Sequence, residues 1–112
     1  MENTRQQKIA KQIQRDIAEI FQRDLSATLR GTLVTVTTVR VSPDLAYAKI
    51  YVSIFPYEKA AATLDAIESQ NRAIRGALGN RMRNQVKSIP ELQFFIDDSL
   101  EYIENIDSLL KK

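Results

Sequence analysis

The stretch from Ser69 to Ile89, SQNRAIRGALGNRMRNQVKSI, carries Arg72, Arg75, Arg81, Arg83 and Lys87, with no carboxylate between Glu68 and Glu91. Guanidinium and ammonium groups at this density suit a polyanion, and in a small domain the usual polyanion is nucleic acid. Bond-making chemistry is poorly provided for. The chain has no His and no Cys, which removes the commonest general base, the thiolate nucleophile and the commonest transition-metal ligands. Asp97, Asp98 and Glu101 form a dense carboxylate cluster, and such groups can do acid–base work or hold a hard cation. They also precede an apolar series, and exposed amides at a helix start favour anions there, which is the simpler account. No nucleophile elbow, phosphate-binding loop or deaminase signature occurs. The expectation is a binding protein, not an enzyme, with no metal and no cofactor.

The overall charge of +2 hides a block pattern. Residues 1–15 carry +3, residues 16–68 carry −2, residues 69–90 carry +5 and residues 91–112 carry −4. Solvated helix faces would give the same blocks, so composition alone leaves both readings open. With 112 residues, 44% of them hydrophobic, and only three Gly and three Pro, the chain is long enough for one modest core and is not disordered. A single domain over 1–112 follows. The start, MENTRQQK, has no apolar signal-peptide core, and no run reaches membrane-spanning length. A cytoplasmic protein is expected, away from the membrane.

The basic stretch needs an element to hold it. Ala73, Ile74, Ala77, Leu78 and Met82 recur at helical spacing inside it, so one face packs while the cations face out. Ahead of it, residues 4–25 read as an amphipathic helix with Ile9, Ile13, Ile17, Ile20 and Phe21 on one stripe and Leu25 extending it. At about 100° per residue, Lys8, Lys11 and Arg15 fall nearly opposite that stripe. With Arg5 they form a second basic surface, available to phosphate or merely solvated. Thr4 suits the N-cap.

After Gly31, TLVTVTTVRV reads as a strand whose alternation slips between Val34/Val36 and Val39/Val41; a bulge near Thr37–Thr38 would return both pairs to one face. Ser42-Pro43-Asp44 supplies a turn. The strand LAYAKIYVSIF follows, with Ala46, Ala48, Ile50, Val52 and Ile54 on one face and Tyr47, Lys49, Tyr51 and Ser53 on the other. The tyrosines could stack bases or simply cover a half-exposed sheet face. Pro56 stops the strand, and a helix from about Tyr57 turns Leu64, Ile67 and Ala60 inward. Gln70-Asn71-Arg72 interrupts before the basic helix starts at Arg72 or Ala73. Pro90 ends the basic region, and ELQFFID makes a third strand with Leu92, Phe94 and Ile96 on one side. Asp98 to Glu101 resembles a capping box, and Leu100, Ile103, Ile106, Leu109 and Leu110 place a last helix over 100–110. Few strands with helices to cover one sheet face indicate a two-layer α+β domain.

Three segments together, VSPDLAYAKIYVSIF (Val41 to Phe55), IRGALGNRMR (Ile74 to Arg83) and PELQFFIDDSL (Pro90 to Leu100), resemble the ribosome-binding factor A family. The likeness runs over nearly the whole chain. It implies a type II KH-like fold, order α-β-β-α-α-β with a C-terminal helix. It further implies a non-catalytic assembly factor acting late in small-ribosomal-subunit maturation, touching rRNA near the decoding region, supporting growth in the cold and working as a monomer. The family has an Ala-x-Gly kink between its central helices. Aligning Ile74-Arg75 puts Gln70, Asn71 and Arg72 at that kink, with neither the Ala nor the Gly; a left-handed Asn71 is the local way to turn there. The same alignment buries Gly76-Ala77-Leu78-Gly79 inside the second helix, so this GxxG is not a KH loop. Arg72, Arg75, Arg81, Arg83 and Lys87 are then the expected rRNA contacts, with Arg5, Lys8, Lys11 and Arg15 as a second surface. Two other readings stay open: a protein-interaction module docking its acidic C-terminal helix on a basic partner, and a generic basic RNA binder.

Overall fold

A computed structural model describes residues 4–97. The elements run α1 (Thr4–Arg23), β1 (Leu33–Val41), β2 (Tyr47–Phe55), a 3-10 turn (Tyr57–Lys59), α2 (Ala60–Ser69), α3 (Asn71–Met82) and β3 (Glu91–Ile96). The expected capping box and final helix lie outside the described residues. Thr4 is already helical rather than at the N-cap position. Leu25 lies beyond the end of α1 but stays buried, because the chain turns there through Asp24 and Leu25 amides that donate to the Ile20 carbonyl.

The three strands form one sheet in the order β1-β2-β3, antiparallel between β1 and β2 and parallel between β2 and β3. A parallel neighbour requires a crossover, and α2 and α3 are that crossover. All three helices pack on the same sheet face, with α1 against β1 and α3, and α2 against β2 and β3. Ile13, Ile17, Ile20, Ile50, Val52, Ile67, Ile74, Leu78 and Met82 are almost fully buried between the layers. Ala48 is also fully buried, whereas Ala46 precedes the strand in the turn and is exposed rather than on the apolar face.

The β1 slip is a bulge. Pairing shifts between Val36 and Thr38, Thr37 is left out of the ladder, and Val36, Val39 and Val41 are all buried on the core side. The irregularity leaves carbonyls that need donors. Gln14 of α1 supplies one to Val36 O at 3.2 Å, and the single hydroxyl proton of Thr37 is shared between Tyr51 O at 3.2 Å and the nearer Asp97 carboxylate. Gln6, itself buried, donates to Val41 O at 2.9 Å. Two glutamines thus fix how α1 lies along β1, and that placement determines which α1 residues can meet α3.

The break between α2 and α3 needs no left-handed residue. Gln70 sits at φ −100°, ψ 10°, a sparsely used region open to ordinary side chains, so neither Ala nor Gly is required at the kink. Helix α3 begins at Asn71, whose side-chain amide donates to Leu92 O at 3.0 Å and ties the helix start to β3.

Candidate nucleic-acid interface

The expected basic residues separate into groups with different surroundings. On α3, Ile74, Leu78 and Met82 face the core, so at about 100° per residue Arg72, Gly76 and Arg83 share the outer stripe while Arg81 falls on the flank toward α1. There Arg81 Nη1 meets Glu19 Oε1 at 2.7 Å and Asp16 Oδ1 at 3.6 Å. Asp16 is buried, and its other oxygen accepts from Gln12 Nε2 at 2.7 Å. The hydrogen bond from Arg81 is the main reason the Glu19 carboxyl is held below its ordinary range, and the same bond raises the Arg81 guanidinium. Arg81 is therefore compensated, contrary to the run of free charge that the stretch alone suggests. The carboxylates that neutralise it lie more than sixty residues earlier in the chain.

Arg75 also has internal work. It donates through Nε to Pro90 O at 3.2 Å and through Nη2 to Ile89 O at 2.7 Å, which clamps the segment entering β3 onto α3. Gly79 permits that closeness, because a Cβ there would come within 3.3 Å of the Ile89 side chain. Gly76 is different. A Cβ would meet open space, so the helix backbone lies bare on the outer stripe between Arg72 and Arg83.

Arg83 and Lys87 lie beyond the end of α3. Gln85 and Val86 amides close back on Met82 O at 2.8 and 3.2 Å, and Val86 turns into the core. That anchor leaves Arg83 and Lys87 exposed on either side of it. Arg5, at the start of α1, meets them across an open cleft of about 580 Å³ whose far wall is Asp44 and Leu45. Grouping Arg5 with the other α1 cations is thus corrected. It joins Arg83 and Lys87, while Lys11 lines a separate groove of about 200 Å³ against Thr37 and Thr38. Lys8 is exposed, and Arg15 is exposed and donates to Gln12. Among the described residues, the ion pairs are those of Arg81, so Arg5, Arg72, Arg83 and Lys87 have no ion-pair partner there, and the carboxylate lining the cleft is Asp44.

The cleft wall is a tightly tied loop. Leu45 N donates to Ser42 O at 2.9 Å, and the Ser42 hydroxyl donates to Asp44 Oδ1 at 2.7 Å while accepting from Ala46 and Tyr47 amides at 3.1 and 3.0 Å. These bonds, the Ser42 hydroxyl first and the Ala46 amide second, hold the Asp44 carboxyl below its ordinary range. Leu45 sits at φ +61°, a conformation that costs a branched side chain energy and persists only where its surroundings impose it. The strain falls at the wall of the cleft.

Asp97 accepts from Thr37, whereas Asp98 and Glu101 lie outside the described residues. Among the described residues, no group of His, Cys, Asp or Glu is arranged to hold a metal ion, and no helix is long and apolar enough to cross a membrane. What the geometry offers is a cleft of three cations walled by a hydrogen-bonded loop, and separately a patch of bare helix backbone at Gly76.

A mixed three-stranded sheet with helices on one face, in the order α-β-β-α-α-β, is the type II KH-like arrangement. The family model described as ribosome-binding factor A matches residues 5–110. A ribosome-binding factor A from Flavobacterium johnsoniae is 44% identical over 111 residues, 98% of this chain and 85% of its own. One from Cytophaga hutchinsonii is 39% identical over 112 residues, 100% of this chain and 84% of its own. The crystal structure of ribosome-binding factor A from Thermus thermophilus aligns with a TM-score of 0.70 at 28% identity, covering 84% of this chain and 98% of that one. A Thermus thermophilus homology model fitted into a cryo-EM map of a 30S–RbfA complex aligns with a TM-score of 0.62 at 32% identity, covering 77% and 88%. The chain belongs to the ribosome-binding factor A family.

Proposed function

We propose that this chain is a non-catalytic assembly factor that binds the small ribosomal subunit late in its maturation, holding rRNA near the decoding region. The observation that carries it is the meeting of Arg5, Arg83 and Lys87 in one cleft without an ion-pair partner among the described residues. Family membership and the 30S complex of the Thermus thermophilus relative support the choice of partner. The rigid loop Ser42–Leu45 and the bare stripe at Gly76 suit a shaped phosphate backbone rather than a base sequence, so recognition is by form and charge. Each phosphate held by a cation releases counterions, and affinity falls steeply with salt. The factor acts as a single domain and a monomer in the cytoplasm, and its loss slows growth most in the cold.

Co-sedimentation of the purified protein with isolated small and large subunits, at low and moderate salt, tests this reading. Saturable binding to the small subunit alone is expected. Equal, salt-labile binding to both would reduce the chain to a generic basic RNA binder, and no binding to either would favour a protein-interaction role.

A further inference from the structure

Among the described residues nothing packs on the sheet face away from the helices, and its residues are not arranged as a neutral solvated surface. Arg40 of β1 and Lys49 of β2 are directly paired in the ladder. Like charges opposed across strands destabilise a sheet, and neither has an ion-pair partner among the described residues. An anion between them would remove the repulsion. The same face presents Tyr47, 48% exposed, two positions before Lys49. Farther along, Tyr51 stacks on its ladder partner Phe95 with ring centroids 5.4 Å apart. At the strand ends, a groove of about 450 Å³ is lined by Arg40, Lys49, Tyr47 and Pro43 and reaches round the β1 edge to Val41 and to Gln6 of α1. Two cations without an ion-pair partner among the described residues, an aromatic ring and the apolar Pro43 and Val41 in one groove match a nucleotide, whose phosphate needs charge and whose base needs a flat surface. Glu91, paired in register with Tyr47, repels a backbone from the β3 side and so favours a path along Arg40 and Lys49.

We propose that this open sheet face is a second RNA contact, specific for unpaired nucleotides. A phosphate sits between Arg40 and Lys49, and a base stacks on Tyr47. The proposal rests on the RNA-binding reading above but concerns a surface on the opposite side of the sheet from the packed helices. It also divides the labour. The cleft of Arg5, Arg83 and Lys87 holds backbone of either form, and the sheet face holds single strands only.

Binding of the full chain to a labelled single-stranded RNA decamer and to the duplex of the same sequence tests it, by anisotropy. Tyr47→Ala is expected to weaken single-strand binding by about 5- to 150-fold, the range for losing one base stack, and to leave duplex binding alone. Tyr47→Phe should retain the wild-type affinity. Arg83→Glu with Lys87→Glu should weaken both ligands. Without RNA, Arg40→Thr should raise the melting midpoint by removing the like-charge pair. Unchanged single-strand affinity in Tyr47→Ala, beside a normal wild type and a weakened Arg83/Lys87 variant, overturns the sheet-face proposal and leaves the RNA-binding reading intact. Such a face would then serve a protein. If the wild type binds neither RNA, the RNA-binding reading fails and this proposal with it.

Discussion

Arg81 and Arg83 are two residues apart and chemically identical, yet they do different jobs. Arg81 lies on the flank of α3 against α1, paired with Glu19 and the buried Asp16. Arg83 lies past the helix end, exposed in a cleft shared with Arg5 and Lys87. One rotation of about 200° around the helix axis separates a structural cation from an available one. A basic run is therefore not a binding site until the fold has removed from it the charges it uses itself.

The contrast can be broken from either end. Leu78→Ala attacks the packing beneath both residues; as a fully buried leucine it should cost about 2–5 kcal/mol of stability, read by chemical denaturation, and the remaining folded protein should keep its subunit affinity. Arg83→Glu with Lys87→Glu should do the reverse, lowering small-subunit affinity on the order of tenfold or more with an unchanged melting midpoint. Arg81→Glu sets a third anion against Asp16 and Glu19, so the midpoint should fall, and adding Glu19→Arg should restore part of the loss. Gly76→Ala sharpens the comparison more finely. The added methyl meets open space, so the helix gains up to about 1 kcal/mol, while any loss of affinity in this stabilised variant reports phosphate lying close to the bare backbone.

The smallest expected effect is on pH. Glu19 and Asp44 both have carboxyls held below their ordinary values of 4.5 and 3.8. A depressed folded value means that the stabilisation is complete above the ordinary range and is lost as pH falls through the lower, folded one. Thermal midpoints should drop below about pH 4, and Glu19→Gln together with Asp44→Asn should flatten that drop. An identical pH profile in the double variant would show that these two hydrogen bonds carry no linkage.

Local patterns make most of the fold legible. The isoleucine stripe of α1 and the parity slip at Thr37–Thr38 each have a structural cause a few residues long, and both can be read from the sequence. Placement of one helix beside another cannot. It depends on where Gln6 and Gln14 find β1 carbonyls, which no periodicity announces. One signal for the Arg81 pairing does exist: Asp16 falls three residues after Ile13 and four before Ile20, inside the apolar stripe, and a carboxylate there requires a partner. Arg5 carries no such mark, because its neighbours in the cleft come from the far end of α3 and the turn at Leu45. The kink at Gln70 escapes sequence reasoning for another reason. A left-handed Asn71 is the local solution, while the structure breaks the helix at Gln70 and spends Asn71 on β3.

The most direct test of the cleft is the salt dependence of small-subunit binding, measured for the wild type and for Arg83→Gln with Lys87→Gln. If Arg83 and Lys87 hold phosphates, the slope of log affinity against log salt should become shallower by about one per cation removed, while Arg81→Gln leaves it unchanged. An unaltered slope in the Arg83/Lys87 variant, or a shallower one in Arg81→Gln alone, would contradict the assignment of the free and the structural cations.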